Sequence, residues 1–148
     1  MRSGKYSFVV LCSVLLLVGT PARTENRSFA GPVEATVIDV LDGDTFLAEA
    51  KVWPGHSVRV NIRIRGIDAP EMRSRCESER EAAHRARDAL AALLGARPIL
   101  LSNIGGAKYY GRVLADVASG SGEVVAEAML ASGKVRAYDG GRRYSWCG

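Results

Sequence analysis

Between Val58 and Arg65 the chain alternates strictly, with Val58, Val60, Ile62 and Ile64 apolar and Arg59, Asn61, Arg63 and Arg65 polar or cationic. A period of two puts the first set on one face of a strand and the second on the other. This segment is therefore a half-buried strand with three arginines on the face turned away from the core. It requires a sheet covered on one side only. The period does not fix whether the arginine face borders open solvent or a cleft.

The neighbouring segments supply partners for that strand. Residues 33 to 41 are rich in Val, Ile and Thr and stop at Asp42-Gly43, a turn signal, after which Thr45 to Ala50 can return as the second arm of a hairpin. A helix is predicted over Ser78 to Leu94. Ser78 and Glu81 form a capping-box pair, Ala83, Ala86, Leu90, Leu93 and Leu94 make an apolar stripe, and Gly95 ends it. Pro98 to Leu101 and Val113 to Ala118 read as two more strands. Gly120 to Gly122 is a loop, and Val124 to Ser132 a short helix ended by Gly133. The fold class is α+β, mainly β, with one long helix between strands three and four and a short helix near the C-terminus. A five-stranded OB-fold barrel satisfies this order, and so do other α+β topologies.

The first 22 residues have a different character. Arg2 and Lys5 precede the apolar run Phe8 to Val18, and the small residues Gly19, Thr20 and Ala22 follow. This is the pattern of a secretory signal, and the run is shorter than the ~20 apolar residues of a membrane-spanning helix. An uncleaved anchor is the alternative. Export to the periplasm or the medium is expected, without a stable membrane anchor and as a monomer. Residues 23–148 then form a single domain of 126 residues, a size that suits one modest core. The net charge of +4 includes Arg2 and Lys5, so the exported part carries 18 basic and 16 acidic residues, or +2. Basicity as such is weak evidence for a nucleic-acid partner; the positions of the arginines carry more.

Cysteine usage changes with export in the same direction. Loss of Cys12 leaves an even pair, Cys76 and Cys147, which in an oxidising compartment predicts a disulfide. Closing so long a loop contributes about 4 kcal/mol in the chain-entropy account. Two unpaired thiols are the alternative. No Cys-x-x-Cys and no histidine pair at helical spacing is present, which argues against zinc.

Three polar clusters carry the chemistry: Asp42-Gly43-Asp44-Thr45, then Arg63-Ile64-Arg65-Gly66-Ile67-Asp68-Ala69-Pro70-Glu71, then Tyr110-Gly111-Arg112. Singly, each has a bland reading as a turn, a strand end or a surface arginine. Jointly they offer carboxylates for a hard cation, a carboxylate to handle water, and two arginines whose planar forks bind phosphate oxygens at any working pH. Those are the requirements of phosphodiester hydrolysis.

In order and internal spacing, these clusters resemble the staphylococcal nuclease (thermonuclease) family, over roughly Glu34 to Tyr138. The resemblance selects the OB-fold barrel among the open topologies. It implies a calcium-dependent nuclease cutting DNA and possibly RNA with little sequence preference. By the same resemblance Arg63 and Arg112 are the phosphate clamps and Glu71 sits over the attacking water. Asp44 and Asp68, with the backbone carbonyl of Ala69, are the Ca2+ ligands, and Asp42 lies near the ion without binding it. Tyr110 matches a tyrosine beside the phosphate arginine, and Tyr138 falls near a base-stacking position. Trp53 and Trp146 are expected to be structural, and His56 and His84 exposed and uninvolved. The chain departs from the staphylococcal pattern after Tyr138, where the tail Asp139 to Gly148 stands in place of a long helix. The runner-up reading is a catalytically silent OB-fold module that binds single strands or a protein partner.

Overall fold

The computed structural model describes residues 28–147; the expected export signal over residues 1–22 lies outside them. Five strands close into a barrel: β1 (Val33–Asp42), β2 (Thr45–Trp53), β3 (His56–Ile64), β5 (Ile99–Gly106) and β6 (Arg112–Ala118). Their order around the barrel is β1-β2-β3-β6-β5, with β5 closing on β1. Every pairing is antiparallel except β3 with β6. This is the expected OB-type barrel. The long helix α1 (Glu77–Leu94) lies between the third and fourth barrel strands, and α2 (Val125–Ala131) follows the fifth. A two-stranded ladder of β4 (Ile67–Asp68) and β7 (Arg136–Ala137) was not foreseen.

The apolar alternation fills the barrel as its period requires, but only towards one end of β3. Ile62 and Ile64 are fully buried beside Phe46, Ile99 and Leu101, with Leu90 and Leu94 of α1 and Met129 of α2 closing the core. Val58 is exposed, because the hairpin of β2 and β3 runs beyond the body of the barrel. Trp53 sits near that hairpin tip with most of its surface in solvent, so its expected packing role is corrected.

Helix α1 begins one residue before the expected start. Cys76, in extended conformation, is its N-cap residue and makes no side-chain capping bond, while Ser78 lies inside the first turn. The Ser78–Glu81 capping box does not form. The N-cap position is taken instead by a cysteine bonded to Cys147, with an S–S distance of 1.95 Å and 6.1 Å between Cα atoms. Ala83, Ala86, Leu90 and Leu94 are buried as the stripe predicts, and Gly95 ends the helix with its N–H on the Ala91 carbonyl.

Gly43 has a role that its turn chemistry does not reveal. A Cβ there would stand 2.5 Å from the Cβ of Ala86 and 2.9 Å from that of Ala69. The β1–β2 turn thus packs backbone-close against α1 and against the segment after β4. That contact sets Asp44 beside Asp68.

Candidate active site

The β1–β2 turn, the end of β3 and the β4–α1 loop meet at one end of the barrel. Asp44 is buried there, and its carbonyl accepts the Ile64 N–H at 2.9 Å. Its carboxylate accepts the Ala69 N–H (2.8 Å, Oδ2) and the Thr45 hydroxyl (2.8 Å, Oδ1). Asp68 is also buried. Between them lies Arg63, whose Nη1 pairs with Asp44 and whose Nη2 lies 3.5 Å from Asp68 Oδ1 while donating to the Ile67 carbonyl at 3.1 Å. Of the three arginines on its strand face, only Arg63 turns into the carboxylates. Arg59 faces Glu49, and Arg65 donates to Asp116 across β6.

Burial and neighbours set the charges. Asp42 accepts the Asp44 N–H at 3.2 Å, and burial together with the adjacent Asp44 carboxylate raises its pKa from 3.8 to about 7. Burial, the largest single influence, would raise Asp44 as well, but the Arg63 guanidinium together with the hydrogen bonds from Asp42 and the Ala69 N–H holds Asp44 below its ordinary value. Asp44 is therefore an anion at neutral pH and Asp42 titrates there.

Arg112 comes from the start of β6, opposite Asn61 in the parallel β3–β6 pairing. Its guanidinium carbon lies 5.5 Å from the ring centroid of Tyr109. A recess of about 240 Å³ is lined by Asp42, Asp44, Arg63, Ala69, Glu71, Tyr109 and Arg112. The structure thus brings together Arg63, Glu71, Arg112, Asp44, Asp68 and Ala69. Tyr110 is not among them. It is fully exposed at the turn made by Gly111, whose φ is 78°, and Tyr109 holds the place beside Arg112 that the sequence assigns to Tyr110. Tyr138 lines an adjoining cleft of about 470 Å³ with Lys108 and Arg112, its hydroxyl donating to the Gly141 carbonyl at 2.9 Å.

Two residues of the site escaped the sequence. Glu79, buried in the first turn of α1, accepts the backbone N–H of Glu71 at 3.1 Å and the Ser74 hydroxyl at 2.5 Å. It holds the loop that carries Glu71. Arg143, in the tail, places Nη2 2.6 Å from Asp68 Oδ1 and 4.0 Å from Asp44 Oδ2, and Nη1 on Glu71. Burial opposes its charge, but Asp68 and then Glu71 and Asp44 hold its pKa above the ordinary arginine value.

The donor set fits a hard divalent cation. One guanidinium nitrogen of Arg143 reaches oxygens of both Asp44 and Asp68, so a positive group already sits between the two carboxylates. All the available donors are oxygens, the preference of calcium and magnesium. Cys76, Glu79 and Cys147 also cluster within 4.8 Å, but the two sulfurs are joined to each other and leave no thiolate to bind a metal.

Comparison with curated proteins returns no match to this chain. The family model of staphylococcal nuclease homologues, however, matches residues 61–144, which cover the end of β3 with Arg63, the segment of Asp68 and Glu71, Arg112 and part of the tail. Asp44 lies before the matched span, and the fold alone brings it to the recess. With more than half its length matched, this chain belongs to the family of staphylococcal nuclease homologues.

Proposed function

We propose that this protein is an exported, calcium-dependent nuclease that hydrolyses phosphodiester bonds of DNA, with RNA as a second candidate substrate, and with little sequence preference. Family membership supports a nuclease-type activity that is typically metal-dependent. The observation that carries the reading is the meeting of Arg63, Arg112, Asp44 and Glu71 around one recess, with Asp68 joined to it through Arg63 and Arg143, from four separate segments of the chain.

The chain's own groups divide the work. Arg63 and Arg112 bind the non-bridging oxygens of the scissile phosphate and stabilise the charge that grows on them during attack. Arg63 is held beside the recess by its ion pair with Asp44 and its bond to the Ile67 carbonyl. Glu71, half-exposed and fixed through its backbone by Glu79, accepts a proton from the attacking water or orients it. Asp44 and Asp68 would hold the cation, with the Ala69 carbonyl as a third oxygen. A bound divalent ion would add Lewis-acid polarisation of the phosphate. Tyr109 stacks beneath Arg112 and limits where its fork points, while Tyr138 offers an aromatic face for a base.

The test is cleavage of supercoiled plasmid and of a single-stranded oligonucleotide, in calcium and in chelator. Calcium-dependent cutting of either substrate supports the reading. Binding without cutting by folded protein would replace it with the silent OB-fold module.

A further inference from the structure

The tail after β7 is tied at both ends. At one end the β4–β7 ladder continues into a bond from the Tyr138 N–H to the Gly66 carbonyl at 2.9 Å. At the other, Cys147 is bonded to Cys76, and the Arg136 guanidinium lies 3.8 Å from the Trp146 ring centroid while donating to the Ser145 carbonyl at 3.0 Å. Between these anchors Arg143 reaches Asp68 and Glu71. Its side chain, 43 % exposed, borders both the carboxylate recess and the adjoining cleft with Lys108 and Tyr138. A free, Gly-rich tail would not hold a guanidinium there; two anchors flanking it do.

We propose that Arg143 is a third phosphate-binding arginine of this site, presented to the substrate by a strap that the Cys76–Cys147 disulfide fixes. This rests on the nuclease reading of the recess. Its present partners are the carboxylates assigned to the cation and to water, and a divalent ion held by Asp44 and Asp68 would compete with the guanidinium for them and free it. The fork that bound carboxylate oxygens is then next to a cleft lined by Arg63, Lys108 and Arg112 and by no carboxylate. The anion that suits it there is a phosphate, bound in the same bidentate way. Charge points the same way. Arg143 adds a third guanidinium beside Arg63 and Arg112, and with Lys108 the cationic side chains gather on the cleft where a phosphodiester would lie.

The test is binding of a fluorescein-labelled single-stranded oligonucleotide in calcium, on a Glu71→Gln background that holds the strand uncut, read by anisotropy over a salt series. Adding Arg143→Gln is expected to weaken binding about tenfold and to reduce the slope of log Kd against log salt by about 0.7, the loss of one phosphate contact. Arg143→Lys should keep the slope and lose part of the affinity, because it retains the charge without the fork. Arg142→Gln removes the same charge one residue away and should change neither. Cys76→Ser with Cys147→Ser should reproduce the Arg143→Gln loss, with no further loss when the two are combined. Equal effects at Arg142 and Arg143, or tighter binding without Arg143, would overturn the proposal. Unchanged binding without the disulfide would overturn the strap. If the Glu71→Gln parent itself binds no oligonucleotide, the nuclease reading fails, and this proposal with it.

Discussion

The Glu79 carboxylate accepts the backbone N–H of Glu71, 3.1 Å away, across the loop that joins β4 to α1. One acid thus positions another, eight residues earlier, through the main chain. Glu79 is only 8 % exposed and also accepts the Ser74 hydroxyl, so the loop is fixed at two points. Glu79→Ala leaves both donors without their partner and should cost about 1–3 kcal/mol of stability. Displacement of Glu71 should lower turnover by about ten- to a hundredfold. Glu79→Gln keeps an acceptor oxygen and should recover part of both. Denaturant melts alongside cleavage rates read the two effects. Unchanged turnover in a destabilised Glu79→Ala protein would show that the contact does not position Glu71.

Gly43→Ala tests the close approach of the β1–β2 turn to α1. The added methyl meets Ala86 and Ala69 at distances that force one of them to move. Overpacking of this kind costs about 1–3 kcal/mol. Because Ala69 and Asp44 border the contact, calcium affinity by titration calorimetry should weaken as well. A variant of wild-type stability would mean that the turn has room to shift.

Asp42 should leave a signature in stability against pH. Its folded pKa is raised from 3.8 to about 7, first by burial and then by Asp44. The folded state therefore holds the proton longer than the unfolded one. The stability linked to that proton is fully present below about pH 4 and is lost as pH rises towards 7. In chelator, Asp42→Asn should remove this decline and be more stable than wild type at pH 8 by about 1 kcal/mol, after discounting for partial exposure. Asp44 has the opposite sign: its pKa is lowered by Arg63 against the effect of burial, so its contribution is lost only as pH falls below the ordinary carboxylate range. Denaturant midpoints between pH 5 and 8 separate the two. Parallel curves for wild type and Asp42→Asn would contradict the shift.

Replacement of Arg112 by lysine isolates the role of the fork. Lysine keeps the charge and the recess but cannot bind two phosphate oxygens in one plane. Turnover should fall about a hundredfold or more. Stability should stay within about 0.5 kcal/mol of wild type, since Arg112 makes no ion pair among the described residues. Near-normal cleavage would remove Arg112 from the clamp.

What the sequence discloses and what it hides divide along physical lines. Period-two alternation marked β3, and the apolar stripe marked α1, because burial on one face imposes both patterns. Arg63, Asp68 and Glu71 were legible because one short segment carries all three at fixed spacing. Arg143 was not, since its contact with Glu71 joins residues 72 apart through a Gly-rich tail without periodicity. Glu79 was hidden for a different reason, as an acid in a first helical turn is ordinary and its burial comes from the loop folding over it. The misplaced helix start follows from Cys76, whose bond to Cys147 holds the N-cap position where Ser78 had been expected to cap. Tyr109 and Tyr110 are neighbours in a turn without periodicity, so nothing in the pattern tells which of them lines the recess; Tyr109 does.

The central claim is that Glu71 and the carboxylates beside it make this barrel a hydrolase. Wild-type protein and Glu71→Gln should be compared for cleavage of a single-stranded oligonucleotide under single-turnover conditions in calcium, with calcium affinity measured on both. The account predicts cleavage by wild type, a fall of about a hundredfold or more in the variant, and similar calcium binding in the two. Equal cleavage rates, or no cleavage by folded, calcium-bound wild type, would contradict it.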